Sequence, residues 1–164
     1  MLEVLRDVTG DGYGDLAVGT FTHTVHDPLQ GNLSYGGIVA ILPGGATLPA
    51  TTAIDATGTA IVGDSGGDRV GFDTDAADVD GDGVGDVLVT SYDYQQQPRL
   101  FYGPIAPGSH SIGSSDARFV TGFTGYSGVA RAGDTNADGY EDFLVGRISD
   151  STGGNVHLFT GTSN

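Results

Sequence analysis

Asp78-Val79-Asp80-Gly81-Asp82-Gly83-Val84-Gly85-Asp86, running directly into Val87-Leu88-Val89-Thr90, is the stretch on which the reading of this chain turns. Carboxylates stand at its first, third, fifth and ninth positions, and glycines fall between them. Oxygen donors at alternate positions curl toward one point. A glycine after the third donor supplies a sharp turn, often at positive φ, without steric cost. The apolar β-branched run that follows reads as a strand. An acidic loop leading into a strand is therefore the local unit.

The unit occurs three times without gaps. Asp7-Val8-Thr9-Gly10-Asp11-Gly12-Tyr13-Gly14-Asp15 precedes Leu16-Ala17-Val18, and Asp134-Thr135-Asn136-Ala137-Asp138-Gly139-Tyr140-Glu141-Asp142 precedes Phe143-Leu144-Val145. The loop starts lie 71 and then 56 residues apart. A second, glycine-bounded apolar block follows each loop, at 36–44, 98–103 and 153–161. Each unit then reads as a strand into the loop, a strand out of it and a strand ending at glycine. A less regular fourth strand is expected around Thr51–Val62 and Ser111–Val120. Four short strands per unit of ~40–50 residues is the pattern of propeller blades. The expected architecture is all-β: a propeller-like array of about three four-stranded blades, the last incomplete, with repeats at 1–66, 67–122 and 123–164. About ten extra residues within Thr20–Tyr35 form an insertion in the first unit. Loops of that kind sit at the surface and often carry function.

Alternating hard oxygens suit Ca²⁺, which takes six to eight of them in flexible geometry. The candidate ligands are Asp7, Thr9, Asp11, Asp15 and the Tyr13 carbonyl in loop one. In loop two they are Asp78, Asp80, Asp82, Asp86 and the Val84 carbonyl. In loop three they are Asp134, Asn136, Asp138, Asp142 and the Tyr140 carbonyl. Up to three Ca²⁺ per chain are expected, bound most tightly by loop two and least by loop one, where Thr9 is a neutral donor. An EF-hand needs a bidentate Glu at the twelfth position, where this chain has Val18, Val89 and Val145. Isolated Asp-Gly clusters are commonly plain turn formers, but three in one register, each entering a strand, favour the metal.

The core D-x-[DNT]-x-D-G-x-x-D followed by an apolar strand, with the glycine-bounded third strand, resembles the FG-GAP repeats of integrin α-subunit propellers and their bacterial relatives. The resemblance covers nearly the whole chain. The family's Phe-Gly pair is represented by Val70-Gly71 and Tyr126-Ser127, and its Gly-Ala-Pro after the second strand by Gly19 and Gly146. The resemblance implies calcium between the first two strands of each blade. It also implies that the loops between second and third strands, here the Thr20–Tyr35 insertion, emerge on an opposite, ligand-binding face.

Composition limits the partners. The 164 residues carry 21 acidic and 6 basic side chains, a net charge of −15. All six basic residues are Arg, and a phosphate backbone would be repelled, so nucleic acid is not an expected partner. Three bound Ca²⁺ would bring the charge to −9. Without cysteine there is neither disulfide nor thiolate chemistry. No apolar run approaches the ~20 residues that span a bilayer, so membrane insertion is not expected.

Other motifs carry less. Gly63-Asp64-Ser65-Gly66-Gly67 matches the surroundings of a trypsin-like nucleophile, but such an enzyme needs a held His base and a longer chain. His23, His26 and Asp27 are a transition-metal option that solvated loop side chains explain as well. Asn32-Leu33-Ser34 is a glycosylation sequon. Tyr92, Tyr94 and Tyr102 read as a sugar platform or as interstrand packing. The expected protein is non-catalytic and extracellular or cell-surface, serving adhesion, ligand display or self-assembly with copies of itself, another extracellular protein or a glycan. The alternatives are an accessory propeller of a secreted enzyme and a lectin-like module.

Overall fold

A computed structural model describes residues 1–45, 53, 57–92, 97–120, 126–148 and 153–163, with backbone only at 126, 127 and 148. The chain is all-β. Among the described residues there is no α-helix, only a 3-10 turn at Ile112–Ser114. No helix there is long and apolar enough to cross a membrane.

Each acidic loop joins the first two strands of its own sheet, which pair antiparallel. In the first sheet these are β1 (Leu2–Val4) and β2 (Leu16–Thr20). The Thr20–Tyr35 insertion folds as a hairpin, β3 (Val25–Asp27) and β4 (Gly31–Leu33), before the chain returns as β5 (Ile38–Leu42) and β6 (Thr59–Val62). The second sheet holds β7 (Val70–Ala77), β8 (Asp86–Ser91), β9 (Arg99–Phe101) and, after β10, β11 (Ala117–Arg118). The third holds β12 (Tyr126–Gly133), β13 (Asp142–Ile148) and β14 (Asn155–Phe159). The sheets do not close into a barrel.

One strand departs from the expected repeat. The segment expected as a single fourth strand over Ser111–Val120 is split. At its start β10 (Gly108–Ser111), which shares only Ser111 with that range, crosses back to pair in parallel with β6, making the first sheet five-stranded in the order β1-β2-β5-β6-β10. The 3-10 turn breaks the run, and only β11 completes the second sheet. Among the described residues the three loop-bearing sheets therefore have five, four and three strands, where two four-stranded blades and an incomplete third were expected. Much of the expected strand before Val62 lies outside the described residues, as does Tyr94. The side chains of Tyr126-Ser127 lie outside them too.

The sheets stack face to face, with a core at each junction. Ala17, Val39, Ile41 and Ile61 of the first sheet meet Val70, Ala76, Val87, Val89 and Phe101 of the second. Leu88 and Leu100 on the other face of the second sheet meet Val129, Phe143 and Val145 of the third. Burying a side chain such as Leu88 contributes about 2 kcal/mol. At the first junction backbones approach closely. A Cβ on Gly19 would lie 2.6 Å from the Gly71 carbonyl oxygen, and Gly71 itself has φ +85° and abuts the Ile38 carbonyl. That is the physical reason for glycine in the Val70-Gly71 pair.

Candidate metal-binding loops

The three loops share one hydrogen-bond scheme. Their ninth-position carboxylates, Asp15, Asp86 and Asp142, are fully buried. In each, Oδ2 accepts the N–H of the second loop residue: Val8 (2.8 Å), Val79 (2.7 Å) and Thr135 (2.9 Å). Oδ1 accepts the N–H of the glycine that ends the third strand: Gly44 (2.7 Å), Gly103 (2.9 Å) and Gly161 (3.0 Å). This aspartate thus ties its loop to the third strand of its own sheet.

The first-position carboxylates accept the N–H of the sixth residue: Gly12 to Asp7 Oδ2 (2.7 Å), Gly83 to Asp78 Oδ2 (3.1 Å) and Gly139 to Asp134 Oδ2 (3.0 Å). Fifth-position Asp11, Asp82 and Asp138 each accept the N–H two residues on, from Tyr13, Val84 and Tyr140, at 2.8, 2.8 and 3.0 Å. Gly12, Gly83 and Gly139 have φ of 86°, 92° and 94°. The fourth position is also left-handed, at Gly10 (77°), Gly81 (78°) and Ala137 (60°). Two such residues per loop coil the backbone so that its N–H groups point inward.

Beyond this scheme the loops diverge. Only in loop two, among the described residues, do three acidic side chains offer ligand atoms all within 4.8 Å of one another: Asp78, Asp80 and Asp86. Asp78 Oδ1 is buried there without a hydrogen-bond partner. A buried oxygen with no donor is costly, and a cation beside it would remove that cost. This donor set therefore fits a hard divalent ion. Asp82, assigned to the same set from sequence, stands outside the converging group. Burial pushes the Asp86 carboxyl up to about 6 against the opposing Gly103 and Val79 N–H groups, and the charges of Asp80 and Asp82 add to the rise.

Loop one spends its third residue internally: the Thr9 hydroxyl donates to Asp15 Oδ1 at 3.4 Å and the Thr9 N–H to Oδ2 at 3.0 Å. In loop three the Thr135 hydroxyl donates to Asp142 Oδ2, which, followed by the Thr135 and Gly161 N–H groups, holds that carboxyl below the ordinary range despite its burial. Asn136 Nδ2 donates to Asp138 Oδ2 at 2.8 Å.

Adjacent loops are joined to one another. The eighth-residue N–H donates to the first-residue carbonyl of the preceding loop, Gly85 to Asp7 (2.6 Å) and Glu141 to Asp78 (2.9 Å). Glu141 turns away from its own loop. Its Oε2 lies 2.5 Å from Arg6 Nη1 and accepts the Asp78 N–H at 3.1 Å, and its Oε1 pairs with Arg131 at 2.7 Å. Burial would raise its pKa, but the Asp78 N–H and the two guanidiniums prevail and hold it below the usual value. Arg6 also stands 3.6 Å from Asp78 Oδ2, so residues of all three repeats meet here.

Sequence reasoning missed a second bracket. Asp73 and Asp75 on β7 accept the backbone N–H groups of Val129 (3.0 Å) and Arg131 (2.6 Å) on β12, so carboxylates link two strands that share no ladder. Burial raises the Asp73 pKa. The available signal was two charged residues at alternate positions in a strand that otherwise carries Val70, Phe72, Ala76 and Ala77.

The remaining motifs resolve as local structure. Gly63–Gly67 is the turn between β6 and β7, where Asp68 Oδ2 accepts the N–H groups of Asp64 and Ser65, each at 2.8 Å. His26 Nδ1 lies 2.8 Å from Asn32 Oδ1 across the β3–β4 hairpin. Tyr92 and Tyr102 occupy opposite ends of the second sheet. Tyr92 packs with Phe21 and Phe72 beneath the Arg69 guanidinium, 4.8 Å from its ring, whereas Tyr102 lies against the core between the second and third sheets. They form no common platform. No protein-family model and no curated protein sequence matches the chain.

Proposed function

We propose that the chain is a calcium-binding, propeller-like β-repeat protein that works outside the cell without catalysis, in adhesion, ligand display or self-assembly. The observation that carries the reading is loop two. There Asp78, Asp80 and Asp86 offer ligand atoms within 4.8 Å of one another, Asp78 Oδ1 is buried without a partner, and burial raises the Asp86 pKa to about 6. A divalent cation relieves the burial cost and the mutual repulsion together. Oxygen-only donors on a coiled loop favour Ca²⁺ over a softer metal. The propeller-like reading is supported by the junction at which Arg6, Asp78 and Glu141 bring the three repeats together. Because each loop is tied both to its own third strand and to the neighbouring loop, a bound cation would stiffen the array as a whole.

Calcium titration at neutral pH tests this. The wild type should bind calcium, and Asp80→Ala should remove the tightest site while leaving the strand content unchanged by circular dichroism. An Asp80→Ala protein with undiminished tight binding would defeat the assignment of loop two.

A further inference from the structure

The repeat places equivalent residues on equivalent faces, and neighbours decide whether they are covered. On the face directed toward the following sheet stand Val39 and Ile41 in the first sheet, Leu100 in the second, and Val156 and Leu158 in the third. Val39, Ile41 and Leu100 are at most 2% exposed, because the next sheet covers them. Val156 and Leu158 are 68% and 51% exposed. Together with Leu144, Ala130, Gly128 and Gly146 they make an apolar surface at one end of the stack.

The opposite faces show the converse. Val87 and Val89 of the second sheet, and Phe143 and Val145 of the third, are buried against the preceding sheet. Their counterparts in the first sheet, Leu16 and Val18, are only partly buried. Leu2 and Val4, which pair with Val18 and Leu16, are 72% and 73% exposed. The β3–β4 hairpin stands beside this face, where Val25 lines a groove with Ile38, Ala60 and Val62.

We infer that these two end faces form one interface shared between copies: the Leu2, Val4 and Val18 face of one chain seats on the Leu144, Val156 and Leu158 face of another, head to tail. The inference rests on the proposed reading of the chain as an assembling repeat protein and identifies its partner as a second copy. Within the chain the same two kinds of face already meet twice, and both times they form a close-packed core. The first junction does so without the Asp73 and Asp75 brackets, on apolar complementarity, backbone contacts and the approach of Arg6 to Asp78. None of the residues named on either end face is charged. Because the two faces differ, the contact is heterologous and closes a ring or extends a filament.

The chain lacks cysteine, which permits a direct test with Leu2→Cys and Leu144→Cys made separately. Their counterparts Val129 and Leu88 share one core. Oxidation in calcium of an equal mixture should give a disulfide-linked dimer, whereas each variant alone should give little. Light scattering of the wild type should show a mass above 16.7 kDa that Leu158→Asp returns to one chain with β content unchanged. Cross-linking of either variant with itself as efficiently as in the mixture would replace the head-to-tail contact with a symmetric one. A monomeric wild type that yields no mixed dimer would overturn the interface outright. Calcium is counted separately by titration. A monomer with its calcium bound defeats the interface and leaves the metal reading standing, and assembly without bound calcium does the reverse.

Discussion

Loops two and three bury an aspartate in the same place, with the same two backbone donors, yet the two carboxyls titrate in opposite directions. Asp86 is pushed up to about 6, whereas Asp142 is held below its usual value. Burial acts on both. Burial is the largest influence on Asp86, whereas on Asp142 the Thr135 hydroxyl outweighs it; the second loop residue and the neighbouring charges widen the separation. Thr135 adds a hydroxyl donor to Asp142 where Val79 offers Asp86 only its N–H, and Asp80 and Asp82 crowd Asp86 with negative charge. Loop three satisfies its carboxylate from within. Loop two leaves Asp86 under-satisfied and Asp78 Oδ1 unpartnered, so it has the most to gain from an outside cation. The comparison teaches that a shared motif sets the backbone of a site, while single side chains at unremarkable positions set its electrostatics.

The largest effect expected is from Asp86→Ala. It removes one acceptor shared by the Val79 and Gly103 N–H groups and leaves both in a buried region. Unsatisfied buried groups cost about 1–3 kcal/mol each, so a loss of about 3 kcal/mol is expected in urea denaturation, with loss of calcium binding at loop two. If stability hardly changes, the bracket is not structural. Exchanging the second residues addresses the electrostatics directly. Thr135→Val should move the Asp142 pKa upward and Val79→Thr should move that of Asp86 downward, both measured by carboxyl NMR titration. Unmoved titrations would remove the hydroxyl as the cause.

The pH response follows with its sign. In the metal-free protein Asp86 has a folded pKa near 6 and an ordinary unfolded one. The folded state therefore binds more protons between those values, and this group's contribution to stability falls as pH rises from about 4 to about 6. Asp142 and Glu141 act oppositely: their contributions are present above the unfolded values and are lost as pH falls through the depressed folded ones. Below pH 6 a cation at loop two must displace a proton, so its affinity should weaken by up to about tenfold per pH unit. Denaturation curves at pH 4.5 and 6.5 (buffer values set about the range from 4 to 6), with chelator and then calcium, measure this. A pH-independent calcium effect would remove Asp86 from the site.

A smaller effect tests the joint between repeats. Arg6→Ala removes the ion pair to Glu141 and the approach to Asp78. Partly exposed pairs are worth about 1 kcal/mol or less, and because Arg6 serves two carboxylates the expected loss is about 1 kcal/mol. The same substitution should strengthen calcium binding at loop two, since it removes a positive charge 3.6 Å from Asp78.

The strands that flank each loop were legible because local signals agreed: β-branched runs, loop glycines and a repeat in register. So was the left-handed sixth position. The parallel return of β10 was not, since Gly108–Ser111 is polar and its partner β6 lies about fifty residues earlier. No local pattern specifies a pairing at that distance. The convergence of Asp78, Asp80 and Asp86 was not legible: Asp82 carries the same chemistry as Asp80, and only the coiling of the loop separates them. Glu141 sits inside the loop-three motif, yet its carboxylate serves Arg6 and Arg131. The Asp73 and Asp75 brackets depend on β12 arriving alongside β7, which the sequence of β7 alone does not encode.

Ala137 gives the most sensitive comparison of loops two and three. It occupies the left-handed fourth position at φ 60°, where Gly10 and Gly81 stand in the other loops. An L-residue there places Cβ against the following carbonyl, at a cost of about 1 kcal/mol. Glycine removes that strain, but it also frees the unfolded chain, which offsets part of the gain. Ala137→Gly should therefore stabilise the metal-free protein by about 0.5 kcal/mol at most. Its effect on calcium should be small but favourable: an unstrained turn lets Asp134 and Asn136 approach Asp142 as Asp78 and Asp80 approach Asp86 in loop two. Combined with Asn136→Asp, it should bring loop three toward the calcium affinity of loop two in titration. If loop three then remains weak, the Thr135 hydroxyl on Asp142 is what distinguishes the loops, and Thr135→Val added to the double variant should restore the parity that backbone relief failed to produce.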